Sequence, residues 1–170
     1  RTLTPPENSK ISGNDYAGNF DDFLTARPEG RPFYFWYGGH EPHRHYVPGE
    51  GESHGKRRED VEEVPPYWPQ EDVVRSDMLD YAFEIEWFDR QLGKMLDKLE
   101  AIGELDNTLV VVTSDNGAPF PRVKGQMYDD DFRLPFAAMW GDRIRPGRRI
   151  DDLISFTDLA PTFLEAAGAS

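Results

Sequence analysis

Cysteine is absent from the 170 residues. Its absence excludes disulfides, zinc–thiolate centres and thiol nucleophiles. No run approaches the ~20 consecutive apolar residues of a membrane-spanning helix, so no membrane partner is expected. Positive charge is scarce: 19 Lys and Arg stand against 32 Asp and Glu, a formal net charge of −13. Nucleic-acid binders need a basic face, so no nucleic-acid partner is expected either. An anionic substrate would need a local basic pocket, or a metal ion, to oppose the overall field. The opening Arg1-Thr2-Leu3-Thr4-Pro5-Pro6 is polar and turn-prone, and does not read as a signal peptide.

What is present suffices for one globular domain, with 38% hydrophobic and 13% aromatic residues. The most informative stretch is Thr108-Leu109-Val110-Val111-Val112 followed by Thr113-Ser114-Asp115-Asn116-Gly117. The apolar run predicts a strand over 108–114 that is buried on both faces and parallel within an α/β sheet. Ligands in such sheets bind beyond the carboxyl ends of the strands. There the chain places a carboxylate and a carboxamide, both hard oxygen donors of the kind Ca²⁺ and Mg²⁺ take. Asp-Asn-Gly is also ordinary turn chemistry, so the motif alone decides nothing.

Residues 1–14 read as a loose N-terminal segment. Asp15 to Ala26 has apolar residues at helical spacing, and Pro32 to Gly39 reads as a buried strand running into His40-Glu41-Pro42-His43-Arg44-His45. Residues 48–70, rich in Gly, Glu and Pro, read as a long insertion loop. Val73 to Ile102 is the clearest helix: Met78, Tyr81, Ile85, Phe88, Leu92, Met95, Leu99 and Ile102 recur at spacings of three and four. Gly103 suits its stop. A further strand is expected over 134–140. Ser155 or Thr157 would cap a last helix ending at Gly168. Trp36, Trp87 and Trp140 are expected in the core. His45 and His54 are expected at the surface, and Asp158 as a support for the last helix.

The order of these motifs resembles the sulfatase family of the alkaline-phosphatase-like superfamily. There a strand ends in His-x-Pro-His, and a long helix, Thr-Ser-Asp-Asn-Gly, a basic residue, Arg-x-Pro and Asp-Leu-x-Pro-Thr follow. Residues 31–168 carry the pattern, through Glu41-Pro42-His43, Asp115-Asn116-Gly117, Arg133-Leu134-Pro135 and Asp158-Leu159-Ala160-Pro161-Thr162. The stretch Asp115 to Pro121 is most similar to sulfamidase-like members. The resemblance implies a partial α/β/α sandwich with a central, mostly parallel sheet. It implies metal ligation by Asp115 and Asn116, with Ca²⁺ favoured over Mg²⁺. It places an active-site histidine at His43 or His40, with His43 preferred. A basic residue on the substrate sulfate falls at Lys124, nine positions after Asp115, with Arg122 as the alternative. Arg133 reads as a structural ion-pair residue, because Asp130-Asp131-Phe132 replaces the family's usual Gly-Gly before it.

The chain departs from the family pattern in three ways. The Cys/Ser-x-Pro-x-Arg segment that yields the formylglycine nucleophile does not occur, nor does a Lys-x-His in the expected order. Asp21-Asp22 and Asp151-Asp152 lie in the wrong places for the family's metal pair. The resemblance thus implies that 1–170 is a piece of a catalytic domain acting on a sulfated sugar, inactive alone and prone to self-association through exposed strand edges. Formylglycine is then expected upstream, and a periplasmic or secreted location follows from the family alone. A non-catalytic binding domain for sulfated ligands, and a phosphodiesterase or phosphonate hydrolase of the same superfamily, are the competing readings.

Overall fold

The computed structural model describes residues 1–169. Helix α1 spans Tyr16–Ala26 and starts where the Asp15 carboxylate accepts the Gly18 N–H at 2.9 Å, satisfying one of the free donors of the first turn. Helix α3 spans Asp72–Ala101 and is the backbone of the molecule. It stops in a Schellman arrangement. The Glu104 N–H donates to Leu99 O and the Gly103 N–H to Glu100 O, each at 2.9 Å, with Gly103 at φ 72°. Phe20 and Leu24 of α1 pack on Met95 and Leu99 of α3, with Phe33, Phe35 and Tyr37 laid against them. Each such buried side chain contributes roughly 1.5–3 kcal/mol.

The apolar row of α3 follows its periodicity but is covered unevenly. Met95 and Leu99 are buried, whereas Ile85 and Ile102 are exposed. Toward the N-terminal end, the inward face is Leu79, Asp80, Phe83 and Glu84. It is met by the short helix α2, Glu50–Ser53. The approach is close: a Cβ on Gly51 would collide with the Leu79 carbonyl. Residues 48–70 form a mostly exposed excursion that is pinned at α2, with Glu50, Gly51 and Val64 buried.

The N-terminal segment is not loose. Leu3 N donates to Gly13 O at 2.9 Å, Thr2 bridges Asn14, and Ile11 is buried. A group of buried carboxylates ties it down. Glu41 accepts the Ser12 N–H at 2.6 Å, and Glu50 the Lys10 N–H at 3.2 Å. Asp80 accepts Gly49 N–H at 2.9 Å and Gly51 N–H at 2.8 Å. Glu84 lies among them. Burial first, then the neighbouring Glu50, Glu41 and Asp80, pushes its carboxyl up to about 8. Burial raises Glu50 and Asp80 in the same direction.

The expected central, mostly parallel sheet is absent among the described residues. Strand β1, Val110–Thr113, pairs antiparallel with strand β2, Phe136–Met139, in the register Val110↔Met139 to Thr113↔Phe136. β1 is half-buried rather than buried on both faces, and β2 is exposed along its length. Residues 32–39 form no strand, although their burial alternates. Phe33, Phe35 and Tyr37 turn inward, while Tyr34 and Trp36 turn out, Trp36 at 75% exposure. This is the side-chain period of a strand whose ladder partner is missing. Trp36 is thus no core residue, and Trp87 and Trp140 are half-buried.

The four-residue helix α4, Asp129–Phe132, lies between β1 and β2. Helix α5, Leu159–Ala166, follows a 3₁₀ turn that Ser155 caps by accepting the Thr157 N–H at 3.4 Å, so Thr157 is not the cap. Asp158 supports that turn as expected, accepting the Ser155 N–H at 2.9 Å. Gly168, at φ 70°, ends the segment.

Candidate functional site

Two loops meet beyond the end of β1. The first runs from Ser114 to Lys124. Its shape is fixed from inside: Ser114 Oγ donates to Asn116 O at 2.8 Å, and the Asn116 amide Nδ2 to Gly117 O at 2.9 Å. Farther along, Phe120 N and Lys124 N both donate to Ala118 O, at 2.7 and 3.2 Å. The buried carboxylate of Asp131 accepts Gly117 N–H and Gln126 N–H, each at 3.0 Å. Gly117 is buried, and a Cβ there would stand 2.6 Å from Asp130 O, so α4 packs directly on the turn.

These bonds leave particular atoms free. Asp115 is exposed, and its carboxylate has no hydrogen-bond or ion-pair partner among the described residues. Asn116 uses its N–H inside the loop, so its Oδ1 remains an open oxygen donor beside that carboxylate. Hard oxygens without internal partners suit a divalent cation. Two are not a complete set, and no group of three or more His, Cys, Asp or Glu among the described residues converges to hold an ion. Asp115 and Asn116 fit a metal as a part of its ligand set.

The second loop carries the histidines. His40 donates its backbone N–H to the Tyr16 hydroxyl at 3.0 Å, and its carbonyl accepts the His43 N–H at 2.8 Å. His43 Nδ1 lies on the Arg44 carbonyl. A carbonyl only accepts, so Nδ1 carries the proton. Nε2 is then left as the working nitrogen. His40, His43, His45 and His54 are all exposed, and His54 stacks on Phe83 at 4.2 Å.

Arg44 joins the two loops. Its Nε donates to Pro119 O at 2.8 Å, and its guanidinium pairs with Asp77 of α3 and lies over the rings of Tyr46 and Phe120 at 4.8 and 4.9 Å. The hydrogen bond to Asp77 raises the Arg44 pKa further. A planar, forked cation can do all of this at once, which a lysine cannot. Sequence reasoning had no role for Arg44 or Asp131. The only available signal for Arg44 was a cation directly after His43. Asp131 lay in the segment flagged as departing from the family's Gly-Gly.

Lys124 and Arg122 are exposed and have no carboxylate partner among the described residues. The Arg122 guanidinium lies over Tyr67 and Tyr128 at 5.5 and 5.2 Å. Arg133 forms no ion pair among the described residues, contrary to the structural role expected for it. The structure therefore gathers Asp115, Asn116, Arg122 and Lys124 on one loop and docks the His43 loop against it through Arg44. His40 hangs from α1 instead.

The sulfatase family model matches residues 2–169. Among similar proteins, the ulvan-active sulfatase of Formosa agariphila is 36% identical over 105 residues, covering 62% of this chain and 18% of its own length. The human N-sulphoglucosamine sulphohydrolase is 30% identical over 164 residues, covering 84% of this chain and 32% of its own. The N-acetylglucosamine-6-O-sulfatase of Bacteroides thetaiotaomicron is 37% identical over 95 residues, covering 54% and 17%. The chain thus spans at most about a third of the length of these relatives. With the match running over nearly every residue, the chain belongs to the sulfatase family, whose fold is of the alkaline-phosphatase-like α/β type.

Proposed function

We propose that the complete gene product hydrolyses sulfate esters or sulfamates of sugars, and that this chain supplies one side of its active site. The observation that carries the reading is the Arg44 clamp. It holds the loop of His43 against the loop whose free oxygens and free ammonium belong to Asp115, Asn116 and Lys124. The names of the similar proteins point to sulfated sugars, with N-sulfate and O-sulfate both represented.

In this reading Asp115 and Asn116 Oδ1 ligate a divalent cation, Ca²⁺ in preference to Mg²⁺ because free, flexible oxygen donors suit the larger ion. Such an ion, when bound, draws negative charge from the sulfate oxygens. Lys124 adds a compact positive charge to the same group. His43, with Nδ1–H held on the Arg44 carbonyl, has Nε2 free to take up a second proton and pass it to the departing oxygen or nitrogen. The remaining ligands and the formylglycine nucleophile come from other parts of the gene product, so the chain alone is inactive. The unpaired run 33–37 and the exposed β2 are where the rest of the sheet joins. Uncovered, those edges make the chain self-associate. No helix among the described residues is long and apolar enough to cross a membrane. A periplasmic or secreted location accords with extracellular sulfated glycans as substrates.

The test is to express the complete gene product with its nucleophile matured and supply N-sulfoglucosamine, glucosamine 6-sulfate and a phosphodiester. Sulfate release is expected, and Asp115→Ala should abolish it, by roughly a thousandfold or more, while lowering bound Ca²⁺ measured by elemental mass spectrometry. Normal metal content and turnover in the variant would remove Asp115 from the site. Cleavage of the phosphodiester alone would move the protein to the phosphohydrolase branch.

A further inference from the structure

Beside the Asp115–Lys124 loop lies a cleft of about 390 Å³, lined by Tyr67, Arg122, Met127, Tyr128, Asp129 and Asp130. It abuts the candidate site directly. Asp130 O is the atom that a Cβ on Gly117 would meet at 2.6 Å, and Arg122 stands two positions before Lys124. We propose that this cleft is a saccharide subsite that seats the sugar ring next to the sulfate-binding groups. The assignment rests on the sulfatase reading and adds to it the residues that hold the sugar.

Three observations support it. Arg122 sits at φ 66°, in the left-handed region that a non-glycine residue rarely adopts. Such backbone persists where the surroundings hold it, and it concentrates at ligand sites. Here the outcome is a guanidinium that lies over two tyrosine rings at the cleft, with no hydrogen-bond or ion-pair partner among the described residues.

Secondly, one wall is rigid. Tyr67 donates its hydroxyl to Asp130, the neighbouring Trp68 Nε1 donates to Pro121 O at 2.7 Å, and the Trp68 ring packs on Phe120 at 4.9 Å. The excursion over residues 48–70 is thereby anchored to the active loop.

Thirdly, the cleft is amphipathic in the way a sugar is. Tyr128 is 50% exposed and Met127 90% exposed, an open apolar surface for the C–H face of a pyranose. Asp129 has a carboxylate without a partner among the described residues, ready to accept hydroxyl or amine protons. Asp129 and Asp130 side by side oppose a second strongly anionic group, which selects a hydroxyl-rich or amino sugar over another sulfate or phosphate.

The experiment compares Tyr128→Ala and Asp129→Asn with the wild-type complete gene product on glucosamine 6-sulfate, N-sulfoglucosamine and 4-nitrophenyl sulfate, the last lacking a sugar. The expected result is a kcat/KM for the sugar substrates that falls about tenfold further than that for the aryl sulfate, the worth of one stacked ring or one sugar hydrogen bond, and mainly through KM. Both changes are at exposed positions, and residual aryl sulfate turnover reports a folded enzyme. Equal losses on all substrates, or none, would overturn the subsite while leaving the sulfatase reading intact. A wild-type enzyme that cleaves no sulfate at all would end both.

Discussion

Glu84→Gln should make the protein more stable at high pH and nearly neutral in effect at low pH. Glu84 is 2% exposed, with Glu50, Glu41 and Asp80 around it and Tyr46 close by. Its carboxyl is raised from 4.5 to about 8 in the folded chain. A group whose folded pKa lies above its unfolded one gives its full stability below the unfolded value and loses it as pH rises through the folded value. The window is therefore pH 4.5 to about 8. Across it, each pH unit removes up to about 1.4 kcal/mol, on the order of 5 kcal/mol in all. Glutamine has the shape of the neutral acid and never ionises. It should remove this slope while costing at most about 1 kcal/mol at low pH for an imperfect hydrogen bond. The assay is the melting temperature of the complete gene product and its variant at pH 5, 6.5 and 8.5. In a protein of the relatives' length, about three times this chain, a 5 kcal/mol difference is roughly 5 °C. The two melting curves should coincide near pH 5 and separate steadily above it. Parallel pH profiles would refute the claim that Glu84 is held neutral by its surroundings.

Arg44→Lys keeps the charge beside Asp77 but loses the bond to Pro119 O and the plane stacked on Phe120. With about 1.5–3 kcal/mol of loop docking removed, kcat/KM on a sulfated sugar should fall tenfold or more and the melting temperature drop by only a few degrees; unchanged kcat/KM would show that Arg44 does not position the His43 loop. Gly51→Ala drives a methyl into the Leu79 carbonyl of α3 and should cost about 1–3 kcal/mol, read as a lowered melting temperature. Gly93→Ala, in the same helix with open space at its Cβ, should instead stabilise by about 0.5–1 kcal/mol, and a shared sign for the two would refute the close α2–α3 packing.

Local signals in the sequence survive in the structure, and non-local ones do not. The helix α3, its Gly103 stop and the turn after β1 are set by residues within a few positions of one another, and each stands where periodicity and capping chemistry put it. The run 33–37 shows why the sheet was harder. Its alternation of inward and outward side chains is a local property and is present, but a strand also needs a neighbour to bond with, and none of the described residues supplies one. The buried face of α3 misled for a related reason. The apolar row alone does not show that Asp80 and Glu84 turn inward, where Gly49 and Gly51 bring backbone N–H groups to Asp80 and Ser12 and Lys10 bring theirs to the neighbouring Glu41 and Glu50. Partners 29 to 40 positions away are invisible to a periodicity argument. At the site, Asp115 and Asn116 were legible as hard oxygen donors in a turn, and Lys124 only through its offset from Asp115 in the family pattern. Arg44 and Asp131 work through backbone atoms of other loops, which carry no side-chain signature.

The same placement bears on the conflict between an acidic chain and the anionic substrate proposed for it. A net charge of −13 would repel a sulfate if it were spread evenly. It is not. Four carboxylates, Glu41, Glu50, Asp80 and Glu84, are buried beside α3, where Glu84 is held neutral and burial raises Glu50 and Asp80 toward the same state. Many others are matched: Asp21 with Lys98, Asp77 with Arg44, Glu52 with Arg58, Glu104 with Arg27. Lys124 and Arg122 are left without carboxylate partners on the loop that bears Asp115 and Asn116. Within about one Debye length, ~8–10 Å at physiological salt, a small anion responds to those groups and to any cation beside them rather than to the distant total. The acidic total governs how whole molecules repel one another, and the unpaired cations set the local field on this loop. Removing the Lys124 charge should therefore weaken substrate capture far more than adding one lysine elsewhere on the surface strengthens it.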